Sequence, residues 1–298
     1  MTYNLQLRAE WSTWDAYELL DSGNGNKLER FGDVVVVRSE PKAWWAPRLD
    51  EEEWRRAEAV YDERKGWKLQ GSAPREWKVR FGDLALLLKF PENSKHVGVF
   101  PEQSPHWEWI REKTKHVESR PLQLLNLFGY TGATTLVAAQ AGFSVTHVDA
   151  SRSVLAWARK NQEFSRLEKA PIRWILDDAL TFVRREARRG KRYDAILLDP
   201  PSFGRGPQKE IWKAEKGVMD LMLACRELLS DNPLFIIITM YALDASPFSI
   251  GNVLADTMRG KGGSIEIGEL VLRQSNADIV LPRSLFGRWE KAQLKGHS

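Results

Sequence analysis

The sequence predicts an α/β protein, with a doubly wound, mostly parallel seven-stranded sheet over residues 93–298 and a small β-rich domain over residues 1–92. Three observations lead there. From about residue 120, short apolar runs alternate with segments of helical length and period, the pattern of strand–helix–strand units. Before residue 90 the apolar runs are separated by Gly-Asp turns instead of helices. Between the two regions lies Pro91-Glu92-Asn93-Ser94, a polar joint containing a proline.

In the N-terminal region Val34-Val35-Val36-Val37 follows Phe31-Gly32-Asp33, and the apolar run 84–88 follows Phe81-Gly82-Asp83, so each Gly-Asp pair predicts a hairpin. The charged stretch 50–56 predicts a short surface helix. A helix leads in from about residue 105. The seven strands are then expected at 122–128, 144–149, 172–176, 193–199, 234–240, 264–273 and 277–281. Helices are expected at 131–141, closed by Gly142, at 153–164, at 179–189, stopped by Gly190, around 218–229, and at 250–259. In such a sheet a ligand binds beyond the carboxyl ends of the strands, where strand order reverses.

Composition narrows the class. A chain of 298 residues, 43% hydrophobic and 28% charged, is that of a globular enzyme with a sizeable core. No run approaches the roughly 18 apolar residues of a membrane helix, and the N-terminus has no basic region followed by an apolar one. With one cysteine, Cys225, there is no internal disulfide, which fits a reducing compartment, and a cytoplasmic location with no membrane contact is expected. A net charge of +4 permits an anionic partner without demanding one. Of the 13 tryptophans most are expected in the core, and some are available to stack on bases. His96, His106 and His116 stand ten residues apart, which is no metal-ligand spacing, and no metal is expected.

The chemistry sits at the strand ends. The first strand runs into Asn126-Leu127-Phe128-Gly129-Tyr130-Thr131-Gly132, whose two glycines let the backbone pass close to a ligand. Twenty residues after Gly129, Asp149 ends the next strand, where a carboxylate can accept both hydroxyls of a ribose. A tight turn and a solvated Asp are the plain alternative. Gly-x-x-Gly lacks the third glycine of a dinucleotide fingerprint and would cradle a pyrophosphate poorly, whereas an adenosyl sulfonium needs no phosphate site. Asp177-Asp178 ends the third strand, where a side chain can meet an adenine amino group; Asp178 is the first choice and Asp177 the second, one of them being free to cap the following helix. Asp199-Pro200-Pro201-Ser202-Phe203 carries an acid from an apolar strand straight into a rigid double proline, where acceptor and cofactor would meet; a simple strand terminator is the alternative.

Together these residues resemble the class I S-adenosylmethionine-dependent methyltransferases, with their Rossmann-like sheet. More closely they resemble the bacterial 23S ribosomal-RNA methyltransferases that modify cytosine C5 or guanine N7, which share the Asn-x-Phe-x-Tyr-Thr-Gly turn and the Asp-Pro-Pro-x-Phe motif. Those proteins also carry Gly-x-Phe-x-x-Gln before the first strand, matched by Gly98-Val99-Phe100-Pro101-Glu102-Gln103. The resemblance covers about residues 95–240. It implies S-adenosyl-L-methionine as cofactor, enclosed by Phe100, Gln103, Asn126, residues 128–132, Asp149 with Ala150 and Ser151, Asp177, Asp178 and Asp199, and His106 near its amino-acid end. It implies an acceptor oriented by Asp199, Pro200, Pro201 and Phe203, and RNA, ribosomal RNA first, as that acceptor.

Two departures bear on the acceptor. Cytosine-C5 enzymes need a cysteine after the fifth strand, where this chain reads Ile238-Thr239-Met240-Tyr241-Ala242. Cys225 falls in the apolar stripe of a helix (Leu221, Met222, Ala224, Leu228) and reads as a packing residue. The N-terminal region matches no stretch of those relatives' RNA-binding domain. Ser202 between the prolines and Phe203 suits an endocyclic nitrogen, which already presents a lone pair and needs no strong base; no His or Cys is expected near the motif. Arg205, Lys209, Lys213 and Lys216 would share one helical face and could contact substrate phosphates, or form a solvated face. Arg184 to Arg192 surround a helix C-terminus, where cations complement the dipole. Methylation of a small molecule or a protein, and a binding module without turnover, are the other readings; the oligomeric state stays open.

Overall fold

The fold comes from a computed structural model that describes residues 7–115, 121–205, 211–241 and 244–291. The N-terminal elements are β1 (Leu7–Glu10), β2 (Tyr17–Gly23), β3 (Asn26–Phe31), β4 (Val34–Ser39), α1 (Glu51–Arg55), β5 (Ala59–Asp62), β6 (Gly66–Leu69), β7 (Glu76–Phe81) and β8 (Leu84–Lys89). A 3-10 turn, Pro101–Gln103, leads into α2 (Ser104–Thr114). Then follow β9 (Leu122–Leu127), α3 (Ala133–Gln140), β10 (Phe143–Asp149), α4 (Arg152–Phe164), β11 (Ile172–Leu176), α5 (Ala179–Arg188) and β12 (Ala195–Leu198). The remainder is β13 (Phe203–Arg205), β14 (Ile211–Lys213), α6 (Ala214–Glu227), β15 (Phe235–Tyr241), α7 (Pro247–Thr257), β16 (Ser264–Arg273) and β17 (Val280–Glu290).

The central sheet has the order β1-β16-β17-β15-β12-β9-β10-β11. Strands β15, β12, β9, β10 and β11 are mutually parallel, and β17 runs antiparallel between β15 and β16. The inner strands are nearly all apolar because both of their faces are covered. In β9, Leu125 and Leu127 join one core with Phe182 of α5, Leu221 of α6 and Leu254 of α7, while Leu122 and Leu124 join another with Ile110 of α2 and Ala138 of α3. β12 and β15 alternate in the same way: Ile196, Leu198, Ile236 and Ile238 face the first core, Ala195, Leu197, Phe235 and Ile237 the second. Fully burying each such leucine, isoleucine or phenylalanine stabilises by roughly 1.5–3 kcal/mol.

Both Gly-Asp hairpins form, β3–β4 and β7–β8, and Asp50 caps α1 by accepting from Glu53 N. Their inner side chains share one core with the central-sheet half: Phe31, Val34, Val36, Phe81, Leu86 and Leu88 pack with Trp107, Leu136 and Val137. β8 is also tied to α4, since Asn161 Oδ1 accepts from Leu87 N at 2.8 Å and Trp157 Nε1 donates to Leu87 O at 2.9 Å.

Four expectations need correction. Among the described residues the sheet has eight strands, not seven, because β1 adds alongside β16 in parallel. The last strand runs from 280 to 290 instead of ending at 281. Arg283, Ser284 and Arg288 break its apolar pattern, yet all three are buried; both arginines pair with buried or half-buried acids. The first helix of the sheet begins at Ala133, since Gly132 is left-handed (φ +86°) and serves as its N-cap. Arg205 and Lys213 do not share a helical face: they lie on β13 and β14, an antiparallel pair in which Phe203 opposes Lys213 and Arg205 opposes Ile211. Extended backbone at both ends of that pair breaks the i, i+4 spacing the helical reading requires. Lys209 and His116 lie outside the described residues.

Candidate active site

Strand order reverses between β9 and β12: β10 and β11 extend from β9 in one direction, β12 and β15 in the other. A cleft of about 400 Å³ opens above the carboxyl ends of these strands, within the range of small-molecule sites. It is lined on the β10–β11 side by Asp149, Ala150, Ser151, Asp177 and Asp178, and on the other by Asp199, Pro200, Pro201, Tyr241 and Ser284. A smaller chamber of about 50 Å³, lined by Gln103, His106, Asn126, residues 128–131 and Asp199, continues beneath the turn after β9.

That turn is wound tightly, with Phe128 (φ +57°) and Tyr130 (φ +51°) both left-handed. Its glycines are also required by the protein itself. A Cβ on Gly129 would lie 2.5 Å from Nδ1 of His147, and one on Gly132 would lie 3.2 Å from both Ala158 and Trp174. The glycines thus let the turn sit down on the protein itself, over a His147 that is held by Thr135 Oγ1 at 2.8 Å. Asn126 is buried beside it, its Nδ2 donating to Thr135 Oγ1 at 2.9 Å. Thr131 Oγ1 donates to Gly98 O at 2.5 Å and so fixes the turn against the segment before Phe100.

Asp149 accepts from Tyr130 N (3.0 Å) on Oδ2 and from Ser151 N (2.8 Å) on Oδ1. The two backbone donors orient the carboxylate and leave each oxygen a lone pair for a hydroxyl; burial nevertheless raises its pKa above the ordinary value. Asp178 is the cap of α5, accepting from Thr181 N at 2.8 Å, while Asp177 pairs with Arg185 at 2.6 Å. Both line the cleft.

At the other end Asp199 accepts from Thr239 Oγ1 (2.6 Å) and Gln103 Nε2 (3.1 Å). Desolvation pushes its carboxyl up to about 6. His106 is buried at 2% exposure; its Nδ1 accepts from Arg288 Nη2 at 2.7 Å, and Arg288 is balanced by Glu10 and Glu266. Burial, with the Arg288 charge, keeps the ring neutral, so Nε2 carries the proton, and it has no hydrogen-bond partner among the described residues. A buried donor facing away from Arg288 in a residue that lines the chamber is a position for an anionic or carbonyl oxygen.

The structure therefore brings together Phe100, Gln103, Asn126, Phe128–Thr131, Asp149–Ser151, Asp177, Asp178, Asp199, Pro200 and Pro201. Gly132 lies below the turn, and Phe203 stands outward, 54% exposed. Trp212 takes the inner place: its Nε1 donates to Pro201 O at 2.7 Å and its ring meets Phe128 at 5.6 Å. Cys225 is sealed in the core of α6, where burial pushes its thiol far up, away from thiolate chemistry. The sequence reading missed His96, Tyr241, Trp212 and Ser284. Tyr241 ends β15 as Asp199 follows β12, a signal the pattern carried; His96 reaches the cleft from a segment far from the motif in sequence.

A doubly wound sheet with an oriented carboxylate at one strand end and an acid set in a rigid Pro-Pro loop at another is an arrangement able to hold a nucleoside. The crystal structure of the SAM-dependent methyltransferase from Agrobacterium tumefaciens is similar to it over 98% of each chain, at 42% identity and a TM-score of 0.91. The chain belongs to the S-adenosylmethionine-dependent methyltransferases. A Streptococcus mutans protein shares the fold at 17% identity, with a TM-score of 0.72 over 93% of this chain and 76% of that one. Among curated proteins, ribosomal RNA large subunit methyltransferase I of Escherichia coli K12 is 28% identical over 175 residues, 58% of this chain. The match spans 43% of that relative's length. No family model matches the sequence.

Proposed function

We propose that the protein methylates a nucleobase in RNA, ribosomal RNA first, without a cysteine adduct, and that it works in the cytoplasm. When bound, S-adenosylmethionine supplies an electrophilic methyl on a positively charged sulfur. Asp149 holds the ribose hydroxyls, with Asp177 and Asp178 on the adenine side. His106 Nε2–H meets the carboxylate of the amino-acid end, and Asp199, ionised against the positive charge, faces the ammonium and sulfonium side. Gln103 and Thr239 keep the Asp199 carboxylate turned into the cleft. Pro200 and Pro201 fix the floor on which the acceptor lies, so most of the rate comes from holding it in line with the methyl.

The observation that carries the RNA reading is the mouth of the cleft. Phe203 and Lys213 oppose each other on the β13–β14 pair, both exposed, next to the Pro-Pro loop. Cross-strand partners project from the same face. An exposed ring beside a cation is the means by which proteins hold an unpaired base and its phosphate. The rRNA methyltransferase similarity supports the same acceptor. The test is methyl transfer from labelled S-adenosylmethionine to total RNA of a strain lacking the gene. Label is expected in that RNA and not in RNA from the parent strain; label confined to protein or metabolites would remove the reading.

A further inference from the structure

The half of the cleft bounded by Pro200, Pro201, Tyr241 and Ser284 contains an imidazole that none of the steps above uses. His96 lines this cleft, and its ring is set by two neighbours, Phe100 at 4.8 Å (56° between planes) and Tyr241 at 6.2 Å (82°). We propose that His96 reads the acceptor: its cleft-side Nε2–H donates to a carbonyl oxygen or ring nitrogen on the edge of a flat, uncharged heterocycle. This inference rests on the base-methylation reading above.

Three observations carry it. The first is the tautomer. Nδ1 is buried and has no hydrogen-bond partner among the described residues. A sealed, orphaned N–H costs more than a sealed lone pair and is much rarer, so the proton belongs on Nε2, the nitrogen left to meet the cleft. The second is charge. Burial comes first, then the nearby cations Arg38, Lys27 and Lys95; together these hold the imidazole at about 3, against the opposing pull of Glu29. The ring is therefore neutral throughout the working range, and a neutral donor selects an uncharged edge, not a phosphate. The third is availability. Asp199, the acid on this side of the cleft, offers only acceptor oxygens when ionised, whereas the His96 ring can donate and no hydrogen bond of that ring is found among the described residues. A heterocycle lacking an acceptor at that edge would leave the donor unpaired and be rejected.

The test uses the full chain and RNA from the strain lacking the gene, with three variants. In His96→Gln the amide nitrogen falls where Nε2 does; in His96→Asn it falls nearer Nδ1; His96→Phe keeps a ring without a donor. We expect kcat/KM for RNA to fall on the order of 10- to 100-fold in His96→Phe and His96→Asn. His96→Gln should retain most of the rate. S-adenosylmethionine affinity by calorimetry should be unchanged in all three. Equal rates in wild type and His96→Phe would overturn the proposal. So would equal losses in His96→Gln and His96→Asn, or a loss that tracks S-adenosylmethionine affinity, since each marks a structural role. If wild-type protein transfers no label to RNA, the base-methylation reading falls and this inference with it; if it does and the variants match it, only this inference falls.

Discussion

Asp199→Asn should make the ligand-free protein more stable and the enzyme far worse. Desolvation raises the Asp199 carboxyl from 3.8 to about 6, so the fold favours its neutral form. A shift of about two units corresponds to about 3 kcal/mol as a ceiling, and because the carboxylate still touches the open cleft, about 1–2 kcal/mol is expected in practice. The sign follows from linkage. Above about pH 6 the group is ionised in both folded and unfolded chains and its full cost is present; between pH 6 and 4 the folded chain takes up the proton first and the cost fades. Asparagine keeps the bond from Thr239 and carries no charge. At pH 7.5, Asp199→Asn should therefore raise Tm by roughly 2–5 °C, and the gain should vanish near pH 4. A cationic ligand reverses the preference. Wild-type affinity for S-adenosylmethionine should fall about tenfold per pH unit below 6, while the variant binds weakly and without that slope. Thermal scans and calorimetry across pH 4–8 check both. A variant less stable than wild type at pH 7.5, or a wild-type affinity flat from pH 7.5 to 5, would refute the assignment of a strained, ligand-facing carboxylate.

Other perturbations separate site from scaffold. Asp149→Ala removes the acceptor of Tyr130 N and Ser151 N as well as the proposed ribose partner, and should weaken S-adenosylmethionine on the order of 10- to 100-fold; an unchanged Kd would end the ribose assignment. Gly129→Ala drives a Cβ into a His147 ring pinned by Thr135 and should cost roughly 1–3 kcal/mol, read as a lower Tm; an unchanged Tm would mean that the turn can lift off the ring. Cys225→Ser puts a hydroxyl in an apolar core, so stability should fall by about 1–3 kcal/mol while kcat is kept. A loss of turnover in correctly folded protein would restore cysteine as a nucleophile.

The middle of the chain was legible because its physics is local. A strand buried on both faces is a short apolar run whatever it pairs with, and β9, β12 and β15 read as such. Helix starts were marked by residues that bond within their own first turn, Ser151 to Val154 N and Asp178 to Thr181 N. The same locality explains why Asp178 reads two ways, as cleft lining and as helix cap. An acid at a strand end and an acid at a helix start are one residue here, and sequence shows the position without showing which group the side chain serves. The β13–β14 pair was misread because basic residues every four positions suit a helix and a pair of exposed strands alike. β17 escaped for the opposite reason, since its polar residues are satisfied far away in sequence.

That last case shows how the N-terminal strands take part in the site. Lys27, Arg38 and Arg283 are buried with Glu29, Glu40 and Glu102, three basic groups among three acids; burial draws the Lys27 ammonium well down and the Glu102 carboxyl up. Arg38 bonds both oxygens of Glu29 at 2.7 Å, Lys27 lies 3.2 Å from Glu29, and Arg283 pairs with Glu40 and, at 3.2 Å, with Glu102. Balanced pairing is the condition under which such charges can leave water, and removal of one member strands its partner. Glu102 precedes Gln103, the residue that holds Asp199. Arg283 also places its guanidinium 5.1 Å from the centre of the Tyr241 ring, and Ser284 next to it lines the cleft. The network thus fixes the back of the cleft wall from strands β3 and β4, more than 200 residues away from Arg283 in sequence. The pairing of Glu29 with Arg38 crosses nine residues and follows from hairpin register; that of Glu40 with Arg283 exists only once the two sheets are docked.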